Sequence, residues 1–271
     1  YLGTMVVSVG AAQMGESPDE GGMATFSIEF LETGANVAPQ VTVDTQAQSL
    51  AAASVAVDSS LAGFVDGYDM TGAPSFVTDA LASSIDTGVG AMVQTAGGLG
   101  APASAMHKVQ FNAKAVIGTR VSLIRKPLAL GKSILSLSST MGAIATDARR
   151  ALGSFSSLAT TSLALPAALG ATPARALQRK VQDKLSSLIH QAGAIEAVRA
   201  ATAMTFRTFD EAIGVRDDLA QLLDGLALRA GDAGDDQSYQ AMDGLRLAMM
   251  RDLNARGASL ARLTTVTPPS T

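Results

Sequence analysis

From Thr25 to Phe30 polar and apolar residues alternate at period two, Phe26, Ile28 and Phe30 against Thr25, Ser27 and Glu29. That is the pattern of a half-buried strand. Upstream, Gly3 to Met14 is rich in β-branched residues, with Met5, Val7 and Val9 on one face. Between the two, Ser17-Pro18-Asp19-Glu20-Gly21-Gly22 is turn chemistry: proline presets φ and paired glycines permit positive φ. The segments predict an antiparallel hairpin whose acidic turn begins at Glu16, with a loop of about six to eight residues. Val7, Val9, Phe26, Ile28 and Phe30 are its expected strand-pairing interface. Val41-Thr42-Val43 reads as one further short extended piece.

Behind Asp44 the period changes from two to that of helices. Asp44 is placed to cap a helix running to about Val65, ended by Asp66-Gly67. Pro74 sits near the start of the next, which continues to about Gln94. Ala96–Pro102 is the clearest linker. Ala103–Lys126 then carries apolar Met106, Val109, Ala113, Val116, Ile117, Val121 and Ile124 on one arc, with Lys108, Lys114, Arg125 and Lys126 opposite. Arg120 falls inside the apolar stripe, so it is expected to be paired or to snorkel. Pro127 interrupts or kinks this helix, and helical character resumes over Leu128–Leu152. After Pro173, Leu177, Val181, Leu185, Leu188, Ala192 and Ile195 recur at spacings of three and four. Phe206, Phe209, Ile213, Val215, Leu219, Leu222 and Leu226 continue the pattern. Gly231–Asp236 is a turn with capping aspartates. Met242, Leu245, Met249, Leu253, Leu260 and Leu263 form the last stripe, broken once at Arg256. Short separations of this kind suit antiparallel helical neighbours.

The expected fold is therefore mainly α with a small N-terminal β portion. It divides into a hairpin (1–43), an acidic helical segment with its Gly-rich linker (44–101), a basic and uncharged helical segment (102–172) and a C-terminal helical bundle (173–271).

Charge sharpens this division. Residues 1–100 hold no lysine or arginine and 11 acidic residues, while residues 101–200 hold 13 basic and 3 acidic ones. Such segregation suggests faces of opposite sign, within one chain or between copies. The stretch Lys108–Lys132 has six basic residues (Lys108, Lys114, Arg120, Arg125, Lys126 and Lys132) and no acidic one. It is the strongest binding candidate, for an acidic neighbour or for DNA phosphates. Aromatics are only 4% and tryptophan is absent, thin for a platform that stacks single strands.

Catalytic and cofactor chemistry finds no footing. There is no cysteine, and two histidines, His107 and His190, make no zinc site by themselves. Gly131-Lys132-Ser133 resembles the end of a P-loop, but position 126 is lysine where the motif needs glycine, and a helix precedes it. Gly88-Val89-Gly90 lacks the third glycine of a dinucleotide fingerprint. No G-x-S-x-G occurs. Asp217-Asp218 and Asp235-Asp236 read as solvated helix ends. No catalytic residue, metal ligand or cofactor is expected. The longest uncharged run, Ala151–Ala174, is too polar and too broken by Gly153, Pro166, Gly170 and Pro173 to span a membrane.

One stretch is recognisable. The pattern formed by Gly3, Val7 and Val9, then Glu16, Gly21, Gly22, Ala24, Phe26, Ile28, Glu29, Phe30, Glu32 and Gly34 resembles the end of the N-terminal domain of the DNA circularisation protein family. These are virion proteins of Mu-like contractile-tailed phages and related prophages. The resemblance covers about residues 1–40 and contains no chemistry. It implies a homo-oligomeric tail or baseplate component near the tube–hub junction, assembled in the host cytoplasm and contacting tail tube, hub or tape-measure proteins. In that family most of the β-domain precedes this point, so the hairpin is expected to continue a longer protein and to complete its sheet outside this stretch. The alternatives are a DNA-end-binding protein using the basic helix, and a membrane-active helical segment at Ala151–Ala174.

Overall fold

A computed structural model describes residues 7–17, 23–32 and 43–262. Contacts divide the chain into two units, Tyr1–Val43 and Asp44–Thr271.

In the first unit, β1 (Val7–Ser17) and β2 (Met23–Glu32) form a two-stranded antiparallel sheet. Val7 pairs with Glu32, Val9 with Phe30, Ala12 with Ile28 and Met14 with Phe26. Between Val9 and Ala12 the register shifts, so β1 spends one residue more than β2. This bulge keeps the strand in phase: Met14, an odd number of residues from Val9, pairs with the same alternate set of β2. The ladder outruns the apolar alternation and reaches Ser17 opposite Met23, leaving five residues to the connection rather than six to eight. Glu16 and Ser17 thus belong to the strand, because pairing needs only backbone groups. Ile28 is 47% exposed, and Ala12, Gln13, Gly15 and Ser27 are exposed as well. The expected Met5, the turn 18–22, the loop 33–39 and residues 41–42 lie outside the described residues. Val43 is not in a strand.

The second unit is helical. Among the described residues it holds eight helices: α1 (Thr45–Asp66), α2 (Ser75–Gly97), α3 (Ala103–Leu123), α4 (Pro127–Ile144), α5 (Ala148–Thr160), α6 (Pro173–Ala203), α7 (Phe209–Asp232) and α8 (Asp236–Gly257). The chain is mainly α with a small N-terminal β portion. Asp44 caps α1 by accepting from the Ala47 amide, as its side chain suits it to do. Proline opens α4 at its first turn, where its missing N–H costs nothing. Pro127 therefore starts a new helix rather than kinking an old one.

The centre is α6. Its residues Gln191–Val198 are buried without interruption, and α1, α2, α4, α5, α7 and α8 all pack on it. The one-sided stripe expected from Leu177 to Ile195 is thus incomplete. Ala192, Gly193, Ala194 and Ala197 present too little side chain to mark a face, yet let neighbours approach from every side. Leu177 itself is only half-buried. The three expected helical stretches share one core: α1 packs on α8 and α6, and Thr45 Oγ1 donates to Asp252 (2.9 Å).

Several boundaries differ from expectation. Leu128–Leu152 is not one helix, because Asp147 caps α5 by accepting from the Arg149 and Arg150 amides. Residues 161–172 of the expected helical segment are not helical. They form a strap against α6. Gln182 Nε2 donates to the Pro166 carbonyl (3.0 Å), Arg179 Nη1 to Ala168 and Gly170 (2.9 Å each). Pro166 lacks an amide, and Gly170 takes φ +93°, so neither continues a helix. The linker expected at Ala96–Pro102 begins inside α2, which runs to Gly97, and continues as a turn whose Leu99 is fully buried. Val121 is 64% exposed rather than in the stripe. On α7, Leu223 is buried while Ile213, Val215 and Leu222 are only partly so. Leu260 falls past the end of α8, and Leu263 lies outside the described residues.

Thr208 caps α7, its hydroxyl accepting from the Glu211 amide (3.2 Å), while Glu211 accepts from the Arg207 amide (2.8 Å). Thr208→Ala is expected to lower stability by about 1 kcal/mol. Urea denaturation measures it, and an unchanged midpoint would show the cap to be idle.

Candidate functional site: the basic face of the third helix

α3 buries Val109, Ala113 and Val116, with Met106 and Ile117 half-buried beside them. The helix contains no acidic residue. Its outer face is therefore set by Lys108, Lys114, Phe111 and Val121, all exposed, Phe111 to 73%. Lys108 to Arg125 spans roughly 25 Å at the α-helical rise. The Tyr68 hydroxyl donates to the Ile124 carbonyl (2.9 Å) and holds the turn that presents Arg125 and Lys126.

Of the six basic residues singled out by sequence, the structure separates one from the rest. Arg120 points inward, as its place in the stripe required. Its Nε stands 3.2 Å from Asp86 Oδ1 of α2, at ion-pair distance but without hydrogen-bond alignment, and Nη1 donates to the Ile117 carbonyl. The side chains of Lys108, Lys114, Arg125, Lys126 and Lys132 are exposed and have no ion pair or hydrogen bond among the described residues. Lys132 is on α4, inside the Gly131-Lys132-Ser133 triplet. That triplet is mid-helix: Gly131 faces Leu61 and Phe64, and the Ser133 hydroxyl is turned back to the Ala129 carbonyl. No phosphate loop is formed there.

A complementary surface comes from residues far apart in sequence. Asp58 and Asp66 of α1 and Asp235 and Asp236 at the start of α8 line a cavity of about 630 Å³. Lys184 is its one lining cation, 3.6 Å from Asp235. Asp58, Asp66 and Asp236 have no ion pair among the described residues. Sequence reasoning missed this groove because it exists only once α8 has packed on α1.

It missed a buried carboxylate as well. Glu196 is 5% exposed and bonded to Arg199 at 2.6 Å. Burial pushes its carboxyl above the usual range despite Arg199. Its position four residues after Ala192 was the available signal. His107 is exposed on α3, and His190 Nε2 donates to the Thr161 carbonyl at 2.9 Å. Among the described residues no group of three His, Cys, Asp or Glu side chains could hold a metal ion. None of the described helices is long and apolar enough to cross a membrane. The run Ala151–Ala174 is divided among α5, the strap and the start of α6, so no continuous helix exists there.

No family model matches this sequence, and no curated protein matches it closely enough to count as a relative.

Proposed function

We propose that this chain is a non-catalytic structural component that acts by assembling with copies of itself. The role is the one its opening ribbon implies, an oligomeric part of a phage tail or baseplate in contact with tube, hub or tape-measure proteins. The observation that supports this reading is the pair of unmatched surfaces. Among the described residues, unpaired Lys108 and Lys114 flank bare Phe111 and Val121 on α3, with unpaired Arg125 and Lys126 just past its end and Lys132 on α4, and three unpaired aspartates line the α1–α8 groove. A surface of each sign on every copy lets the basic face of one meet the acidic groove of the next. A two-stranded ribbon is marginal alone, and its edges, unpaired among the described residues, offer a second means of pairing.

The test is self-association measured by sedimentation against salt. Oligomers should form at low ionic strength and dissociate as it rises. Lys108→Glu, Lys114→Glu, Arg125→Glu and Lys126→Glu together should weaken association at least tenfold, about 1.4 kcal/mol. Mixing that variant with one carrying Asp58→Lys, Asp66→Lys and Asp236→Lys should restore it. A monomer under every condition would sink the reading.

A second reading, nucleic acid against the same face, is favoured by the exposure of Phe111 among unpaired cations. It requires that duplex DNA bind with steep salt dependence and that the quadruple variant lose this.

A further inference from the structure

We propose that the cavity between α6 and α7 binds a small phosphomonoester, its phosphate against the cations and its short aliphatic body against α7. The cavity measures about 390 Å³, within the range of small-ligand sites. It shares Lys184 and Asp235 with the acidic groove, but Lys180, Arg229, Ser186, Ser187 and His190 have no part in the oligomeric reading or in the basic face of α3.

Two helices each turn one face to this space. From α6, Lys180, Lys184 and Ser187 recur at four and three residues, with Ser186 and His190 beside them. From α7, Leu226, Arg229, Ala230 and Ala233 do the same. The cations come from both helices, Lys180 and Lys184 from α6 and Arg229 from α7, and the apolar lining of Leu226, Ala230 and Ala233 comes from the α7 side.

Some donors facing the cavity are spent, since Lys184 donates to the Gly63 carbonyl (3.1 Å) and stands 3.6 Å from Asp235, but others are not. Among the described residues the Lys180 ammonium has no hydrogen bond or ion pair, although Asp69 is near enough to feel its charge. Arg229 makes one hydrogen bond, from Nε to the Gly225 carbonyl of its own helix (3.1 Å), so its two terminal nitrogens are free. The hydroxyls of Ser186 and Ser187 make no hydrogen bond among the described residues. By contrast those of Ser84, Thr95, Ser133 and Thr140 all turn back to the carbonyl four residues earlier. Two free cations and two free hydroxyls suit the three terminal oxygens and double charge of a phosphomonoester better than the two oxygens of a carboxylate.

Two carboxylates also face the space. Asp235 is already answered by Lys184 (3.6 Å) and caps α8 by accepting from the Ser238 amide. Asp183 is exposed, and burial raises its carboxyl above the ordinary value while Arg179 nearby opposes this, so it is a charge the cations must outweigh. His190 completes the lining. Its Nε2–H is committed to Thr161, which leaves Nδ1, an acceptor when the ring is neutral and a donor when it is protonated. Burial foremost, with Arg229 contributing, holds the ring below its usual pKa. An anion beside Arg229 offsets that cation and favours the protonated ring, so binding should move the His190 titration upward.

The experiment follows the two histidine rings of the 271-residue chain by ¹⁵N NMR during titration with n-butyl phosphate. His190 signals should shift to saturation and its titration should move to higher pH, while exposed His107 stays still. Inorganic phosphate should bind at least fivefold more weakly, having no body to set against Leu226 and Ala230. Lys180→Gln with Arg229→Gln should weaken butyl phosphate at least tenfold. Both side chains are exposed, and unchanged circular dichroism verifies that the variant is folded. The proposal is overturned if His190 does not respond, if it responds equally in the double variant or to sodium chloride at matched ionic strength, or if phosphate binds as well as its butyl ester.

Discussion

Arg256→Ala is expected to remove about 3 kcal/mol of stability or more, the cost of stranding a buried charge. The guanidinium holds three things at once. Nη1 bonds Asp252 Oδ2 (3.2 Å), and the Asp252 side chain is only 1% exposed. The same fork donates to the carbonyls of Ala201, Thr202 and Met204 at the end of α6. The plane also stacks over Phe206, with 4.8 Å between the guanidinium carbon and the ring centroid. A helix end leaves its last carbonyls without partners and carries negative partial charge, so a cation from α8 satisfies both needs. Arg256→Lys should rescue little, since one ammonium cannot span three carbonyls and a carboxylate. Adding Asp252→Asn to Arg256→Ala should recover part of the loss, because the stranded charge is gone. Guanidinium chloride denaturation of the four chains measures this. A loss below about 1 kcal/mol for Arg256→Ala would mean that solvent replaces the fork.

Gly193→Val is expected to destabilise by a comparable amount, about 3 kcal/mol. A Cβ at this position would stand 3.0 Å from the Ala159 amide nitrogen, 3.1 Å from the Phe155 carbonyl oxygen and 3.3 Å from the Ala159 Cα. These are backbone atoms of α5, and they cannot swing aside as a side chain would. Two effects compete. Replacing glycine inside a helix gains up to about 1 kcal/mol of helix propensity. Overpacking costs about 1–3 kcal/mol and more for a branched residue. The second wins here, so Gly193→Ala should already be destabilising. Gly214 in α7, exposed and with nothing near a added Cβ, is the control where the first effect acts alone. Gly214→Ala should stabilise. If both alanines shift the thermal midpoint upward, α5 and α6 do not approach as closely as described.

Where local chemistry sets a boundary, the sequence is a good guide. Asp44 before an apolar run, Pro127 and Pro173 at first turns, and Asp235 after a glycine-rich turn mark helix starts because caps and prolines act over three or four residues. Asp147 does the same, and was overlooked only because the apolar pattern continues on both sides of it. What the sequence conceals is which faces meet. The alanines of α6 give no stripe, so a helix buried all round looked one-sided. Arg256 reads as a break in the stripe of α8 because its partners are carbonyls of another helix, which have no letter in the sequence. The candidate site divides the same way. The basic run was visible as composition, and Arg120 announced its need of a partner by its place in the stripe. The groove of Asp58, Asp66, Asp235 and Asp236 and the cavity behind Lys180 and Arg229 are products of packing.

The pairing of α1 with α8, fastened by Thr45 and Asp252, also bears on synthesis. Some 207 positions separate those two residues, so α1 leaves the ribosome long before its main neighbour α8 does. Until that neighbour emerges, α1 keeps an uncovered surface. The intervening helices can gather around α6 beforehand, but closure must come late, and a chaperone would find its target near residue 50.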